Sequence, residues 1–276
     1  KAYYDLDAEV MVRISSSEKG KFGAFSHNLA PVSLDDELYF IDKKGNKVIG
    51  GLSKAFLSNE GYRVVQKGSA FGAIDSTGAV IPIEYTNSLT SVNNGRLGVQ
   101  KNASWFYVDM KGQIVSDKYD RIGNFHQGYA SVCLNKLWGA IDLQNRVVVP
   151  LEWQGVAPIV DPKLIWVKKD NLYYLYDGVQ KSVRLKQGFA NASNFDNEMA
   201  YVMSDGKWGI IDPDGKVLVP CLFEKEEDMV LAKQYMLAED KKNLTEVEAL
   251  RVIARFDPDT NMFKITSVIP DKHWDY

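Results

Sequence analysis

The chain has 276 residues, 45% of them apolar and 25% charged, and a net charge of −3. That balance excludes global disorder, and 33 basic residues dispersed among 36 acidic ones exclude the clustered cationic surface that nucleic-acid binding needs. No apolar run approaches the roughly 18 residues of a membrane-spanning helix. In chain order, the first segment, KAYYDLD, starts without Met, and a removed secretion signal is one candidate for what precedes it. Residues 8–14 then read as an extended strand able to close an array.

From residue 22 the chain repeats itself. A short apolar or aromatic strand ends in Asp, a Gly follows, and a Val/Ile-rich strand comes next. The copies are LYFIDKKGNKVIG (38–50), FGAIDSTGAVIP (71–82), WFYVDMKGQIVS (105–116), WGAIDLQNRVVVP (138–150), LYYLYDGVQKSV (172–183) and WGIIDPDGKVLVP (208–220). The Asp-equivalent positions 42, 75, 109, 142, 176 and 212 are spaced by 33, 34, 33, 34 and 36 residues. Each copy is preceded by a further strand, as in FSHNLAPV (25–32), FHQGYASV (125–132) and FDNEMAYV (195–202). Three short strands per unit, rich in β-branched and aromatic residues, predict an all-β repeat. Beyond the sixth unit, residues 235–239 and 251–266 read as a stretched seventh copy; a helix over 224–241 is the competing reading.

The recurring residues have turn chemistry. Asp accepts a hydrogen bond from the backbone two residues on, and Gly takes the positive φ that closes the loop. Asp42, Asp75, Asp109, Asp142 and Asp212, with Gly45, Gly78, Gly112 and Gly215, are therefore read as hairpin residues. Unit five has Tyr176 at the Asp position and is expected to turn on Asp177-Gly178. A carboxylate present once per unit enters one active site only if the units ring an axis. The residue after the strand anchor is Gly in the even units (Gly72, Gly139, Gly209) and aromatic in the odd ones (Tyr39, Phe106, Tyr173), and the even third strands end in Pro82, Pro150 and Pro220. This predicts a two-unit module of about 67 residues, with a neighbour's ring standing over each Gly and the Pro stopping strand pairing.

In these copies the chain resembles the WG (Trp-Gly) repeat family of bacterial β-repeat proteins, over roughly residues 22–224. The resemblance implies an all-β scaffold, often of the cell envelope, and implies no reaction. The expected organisation is an N-terminal segment (1–21), a repeat array (22–224) and a degenerate seventh repeat or cap (225–276). The fold class is an array of six to seven three-stranded units, β-propeller-like, with an open β-solenoid as the alternative.

Little in the sequence points to catalysis. His27, His126 and His273 lack metal-ligand spacing, residues 15–17 (SSS) lack elbow glycines, and no phosphate-cradling loop occurs. Neither a metal nor a cofactor is expected. Cys133 and Cys221 read as reduced structural residues, and Asn102, Asn191 and Asn243 fit a glycosylation sequon. Aromatic residues concentrate in units four and five, at Trp153, Trp166, Tyr173, Tyr174 and Tyr176, the residue types used by interfaces and sugar platforms. Alternation along a strand forbids Tyr173, Tyr174 and Tyr176 from facing one way. The expected function is a non-enzymatic scaffold for protein–protein contact at the bacterial envelope. A carbohydrate or cell-wall binder and a hydrolase or lyase on a propeller are the alternatives. The expected compartment is periplasmic, cell-surface or secreted, with the cytoplasm left open.

Overall fold

A computed structural model describes residues 2–5, 10–13, 20–34, 36–57, 59–225, 233, 252–257 and 262–268. The fold is all-β. Six small antiparallel sheets follow one another along the chain. The first contains β3 (Lys21–Phe22), β4 (Ala30–Leu34), β5 (Glu37–Ile41) and β6 (Lys47–Leu52); the second, β7 (Lys54–Ala55), β8 (Arg63–Lys67), β9 (Ala70–Asp75) and β10 (Gly78–Tyr85). The third has three named strands, β11 (Asn87–Ser88), β12 (Arg96–Lys101) and β13 (Ser104–Asp109). The fourth holds β14 (Arg121–Ile122), β15 (Tyr129–Leu134), β16 (Leu137–Asp142) and β17 (Val147–Trp153). The fifth comprises β18 (Gly155–Val156), β19 (Ile165–Lys169), β20 (Leu172–Asp177) and β21 (Ser182–Val183). The sixth comprises β22 (Asn191–Ala192), β23 (Ala200–Ser204), β24 (Lys207–Ile211) and β25 (Val217–Phe223).

In every sheet the strands pair in chain order, the meander of a propeller blade. In five of these sheets the three expected strands are joined by a fourth, only two residues long, at their leading edge; in the third sheet that short strand is present and the expected last strand is reduced to the isolated bridges between Val108 and Ile114 and between Trp105 and Tyr119. At the N-terminus β2 (Val10–Arg13) pairs antiparallel with β1 (Ala2–Asp5) in a two-stranded sheet. At the far end β26 (Val252–Asp257) pairs with β27 (Met262–Val268). The segments 226–232 and 234–241, the strand 235–239, His273 and Asn243 lie outside the described residues.

Two compact units emerge, Lys1–Glu152 and Trp153–Tyr276. Within each, consecutive sheets stack. Phe40 and Leu52 of the first sheet share a core with Val65 and Ile74 of the second. Val64 and Ala73 share another with Leu97, Phe106 and Val108 of the third, and Tyr107 and Tyr119 a third with Val132 and Ile141 of the fourth. In the second unit Trp166 and Leu175 pack against Phe189, Val202 and Ile211. Because both faces of the middle strands are covered, Gly139, Ala140 and Ile141 are buried in succession, where a one-faced sheet would alternate.

The even-unit Gly has a backbone cause. A Cβ on Gly139 would lie 2.5 Å from the Val149 carbonyl oxygen, and one on Gly209 2.6 Å from that of Val219. At Gly72 the carbonyls of Ile81 and Pro82 would be 2.6 and 2.7 Å away. What leans over the glycine is the sheet's own bulged last strand, whose register slips in β10 and β25, and not a neighbour's ring. Pro82, Pro150 and Pro220 lie inside β10, β17 and β25. They do not end these strands, because a residue that lacks an N–H is tolerated at a bulge.

Candidate functional site

The recurring carboxylates are engaged in turns. One oxygen of Asp42 accepts from the backbone N–H of Lys44 and of Asn46, both at 2.8 Å. Asp109 does the same for Lys111 and Gln113, Asp142 for Gln144 and Arg146, and Asp212 for Asp214 and Lys216. Asp75 accepts from the Thr77 N–H and hydroxyl. Gly45, Gly78, Gly112 and Gly215 have φ of 85°, 127°, 76° and 82°, and Asn145 stands in at 59°. The Asn46 amide holds the Asp42 carboxyl below its ordinary range, and the Gln113 N–H does so for Asp109. At Asp142 partial burial works in the opposite direction but is outweighed by the bonds from Arg146 and Gln144.

Unit five departs from the expected two-residue hairpin. Four residues separate β20 from β21, and the positive φ falls on Lys181, at 54°. Gly178 instead donates its N–H to the Pro162 carbonyl at 2.8 Å. Asp177 is buried, accepts from Val179 and Gln180, and faces Arg184 at 3.7 Å. Among the described residues no three His, Cys, Asp or Glu side chains are grouped to hold a metal ion. His27 and His126 sit in the turns 26–29 and 126–129, and Cys133 and Cys221 are free thiols whose pKa burial pushes up.

The five aromatic candidates separate by face. Trp166 is 1% exposed, donates its indole N–H to the Ser193 carbonyl at 2.7 Å, and stacks on Phe195 with rings 5.9 Å apart. Tyr173 borders the same core, with the Lys168 ammonium 5.3 Å from its ring. Strand alternation turns Tyr174 and Tyr176 to the opposite face of β20. There Tyr176, 3% exposed, meets Trp153, 6% exposed, edge to face at 6.0 Å. Tyr174 is half-buried, and Gly188 makes room for it: a Cβ there would lie 2.9 Å from Tyr174 Cζ.

Tyr174 and Trp153 line an open cleft of about 360 Å³ together with Lys169, Asp170, Val183 and Lys186. Its volume is at the lower end of the range for small-ligand sites. Lys169 and Asp170 stand at the β19–β20 hairpin, where Asp170 and Asn171 have φ of 51° and 62°. Val183 ends β21, and Lys186 lies on the segment that leads to the sixth sheet. Sequence reasoning reached the two aromatic residues and missed the other four, which carry no pattern of their own. The Trp153 indole N–H is buried and has no hydrogen-bond acceptor among the described residues.

The model of the WG containing repeat matches the chain at residues 105–138, 138–173 and 208–225. No curated protein matches it. Among solved structures, a eukaryotic initiation factor is 12% identical over 78% of this chain and 68% of its own, with a TM-score of 0.47. Hsv2p of Kluyveromyces lactis is 9% identical over 91% of this chain and 98% of its own, with a TM-score of 0.41. A protein of unknown function from Bacteroides caccae is 14% identical over 66% and 88%, with a TM-score of 0.28. No helix among the described residues is long and apolar enough to cross a membrane, which says nothing of a β-barrel.

Proposed function

We propose that this WG-repeat chain is a non-catalytic scaffold that binds another protein through the Trp153–Tyr174 cleft. The observation that supports this is the composition of the cleft: a half-buried tyrosine and an exposed valine beside two lysines in an open depression. Tyrosine is enriched at protein interfaces and among their hot spots, whereas lysine is depleted there, so the ring of Tyr174 carries this reading. The recurring carboxylates offer no competing chemistry, since each already accepts two or more hydrogen bonds from its own turn. A sugar platform needs an exposed ring face, and Trp153, Trp166 and Tyr176 have theirs covered. The proposed setting is the bacterial cell envelope, to be checked by fractionation of the native cells.

The test is affinity capture from native envelope, wild type against Tyr174→Ala, with a glycan array run in parallel. The reading requires proteins retained by the wild type and lost by the variant at unchanged thermal stability. Selective glycan retention lost in Tyr174→Ala would replace it with the carbohydrate reading.

A further inference from the structure

The cleft carries charge information that its aromatic residues do not. Lys169 and Lys186 line it against a single carboxylate, Asp170, although the chain as a whole is net negative. Like most lysines among the described residues, neither forms an ion pair with a described carboxylate, so both ammonium groups are available to a ligand. The same cleft is lined by Trp153, whose buried indole N–H lacks an acceptor. A buried donor left unmade costs about 1–3 kcal/mol. Trp166, the equally buried indole of the same unit, has its acceptor in the Ser193 carbonyl. The cleft therefore presents two ammonium groups beside the apolar edge of Val183 and the ring of Tyr174, with the Trp153 N–H buried behind its wall.

From these donors we infer that the cleft takes a carboxylate: an acidic peptide segment, with a Glu or Asp side chain between Lys169 and Lys186 and an apolar neighbour on Tyr174 and Val183. This rests on the reading of the cleft as the binding site. Carboxylate oxygens supply the missing acceptors, and hydrogen bonds between charged partners are the stronger kind. The Asp170 carboxylate repels an anionic segment, and the two lysines outweigh it.

The probes are blocked peptides of about five residues alternating Glu and Leu, the same peptides with Gln for Glu, and a uronic-acid oligosaccharide, titrated into the full chain. Affinity is read by calorimetry. The Trp153 indole N–H resonance is assigned with Trp153→Phe and followed by NMR. The Glu peptide should bind about tenfold or more tighter than its Gln isostere, weaken as salt rises from about 50 to about 300 mM, and shift the Trp153 resonance. The pair Lys169→Glu and Lys186→Glu should abolish binding without changing the melting temperature. Equal binding of the Gln isostere, no binding of either peptide at about millimolar concentration, or binding of the uronic oligosaccharide alone would overturn the inference. If envelope proteins are captured by the lysine variant but not by Tyr174→Ala, the binding site stands and the carboxylate inference fails.

Discussion

At Asp109 a single side-chain oxygen accepts two backbone N–H groups, from Lys111 at 2.8 Å and Gln113 at 2.9 Å. That bonding favours the ionised form, so the folded pKa lies below the unfolded one at Asp109, Asp42 and Asp142. A depressed carboxylate contributes its stability fully above the unfolded value, near 4, and loses it as pH falls through the folded value. The triple variant Asp42→Asn, Asp109→Asn, Asp142→Asn keeps an acceptor in each turn and removes the charge. Its melting temperature should be lower than wild type at pH about 7 and converge with it as pH falls through the folded values; parallel curves would show that these charges carry no linkage. Tyr107 presents a second residue-scale case. It is 1% exposed, and its hydroxyl donates to the Gly123 carbonyl at the leading edge of the next sheet. Tyr107→Phe should cost about 1–2 kcal/mol in urea unfolding, and no measurable loss would mean that water covers that carbonyl. The turn aspartates were legible because an Asx turn is decided within five residues. The fate of Trp153 was not: alternation says which rings share a face but not what covers that face.

Gly139 shows how the strands of one sheet constrain each other. Its missing Cβ is where β17 passes, with the Val149 oxygen 2.5 Å from the Cβ position, as the bulged β10 and β25 pass over Gly72 and Gly209. Gly155, also in a strand, would place a Cβ an ordinary 3.5 Å from that of Lys168. Gly139→Ala should therefore cost about 1–3 kcal/mol while Gly155→Ala stays near neutral, both read from urea midpoints; equal costs would refute the bulge explanation. The Gly and Pro alternation was visible in the sequence, but its cause was not, since a bulge leaves no residue pattern apart from the Pro it tolerates. Two further turns per unit went unread. The hairpins 102–103, 135–136, 170–171 and 205–206 have positive φ at both residues, the backbone of a type I′ turn. So do the turns at Glu60-Gly61, Asn94-Gly95 and Gln127-Gly128. Asn94-Gly95 and Asp205-Gly206 are strong hairpin signals, overlooked because the Asp-to-Gly spacing had already supplied one turn per unit. These turns also connect sheets: the Glu60 carboxylate accepts from the N–H groups of Asn94 and Gly95, and Asn94 accepts from Gly128.

Across the molecule, the period of about 33 residues was legible because each sheet repeats the same core positions. Val132 of the fourth sheet and Val202 of the sixth occupy equivalent sites, both 0% exposed. Their cores differ in membership. Val132 lies with Tyr107, Tyr119 and Ile141, while Val202 lies with Trp166, Phe189 and Ile211. When each repeat touches mainly its neighbours, stability is close to a sum of local terms. Each Val→Ala removes two buried methyl groups and should cost about 1–3 kcal/mol. The more informative reading is where the loss is felt. In native-state hydrogen exchange, Val132→Ala should accelerate the amides of β13, β15 and β16, which frame its core, and leave those of β19, β20, β23 and β24 near wild type. Val202→Ala should produce the reverse. Uniform acceleration in both variants would mean that the two units open together, and that the sheets behave as one cooperative body despite their separate cores.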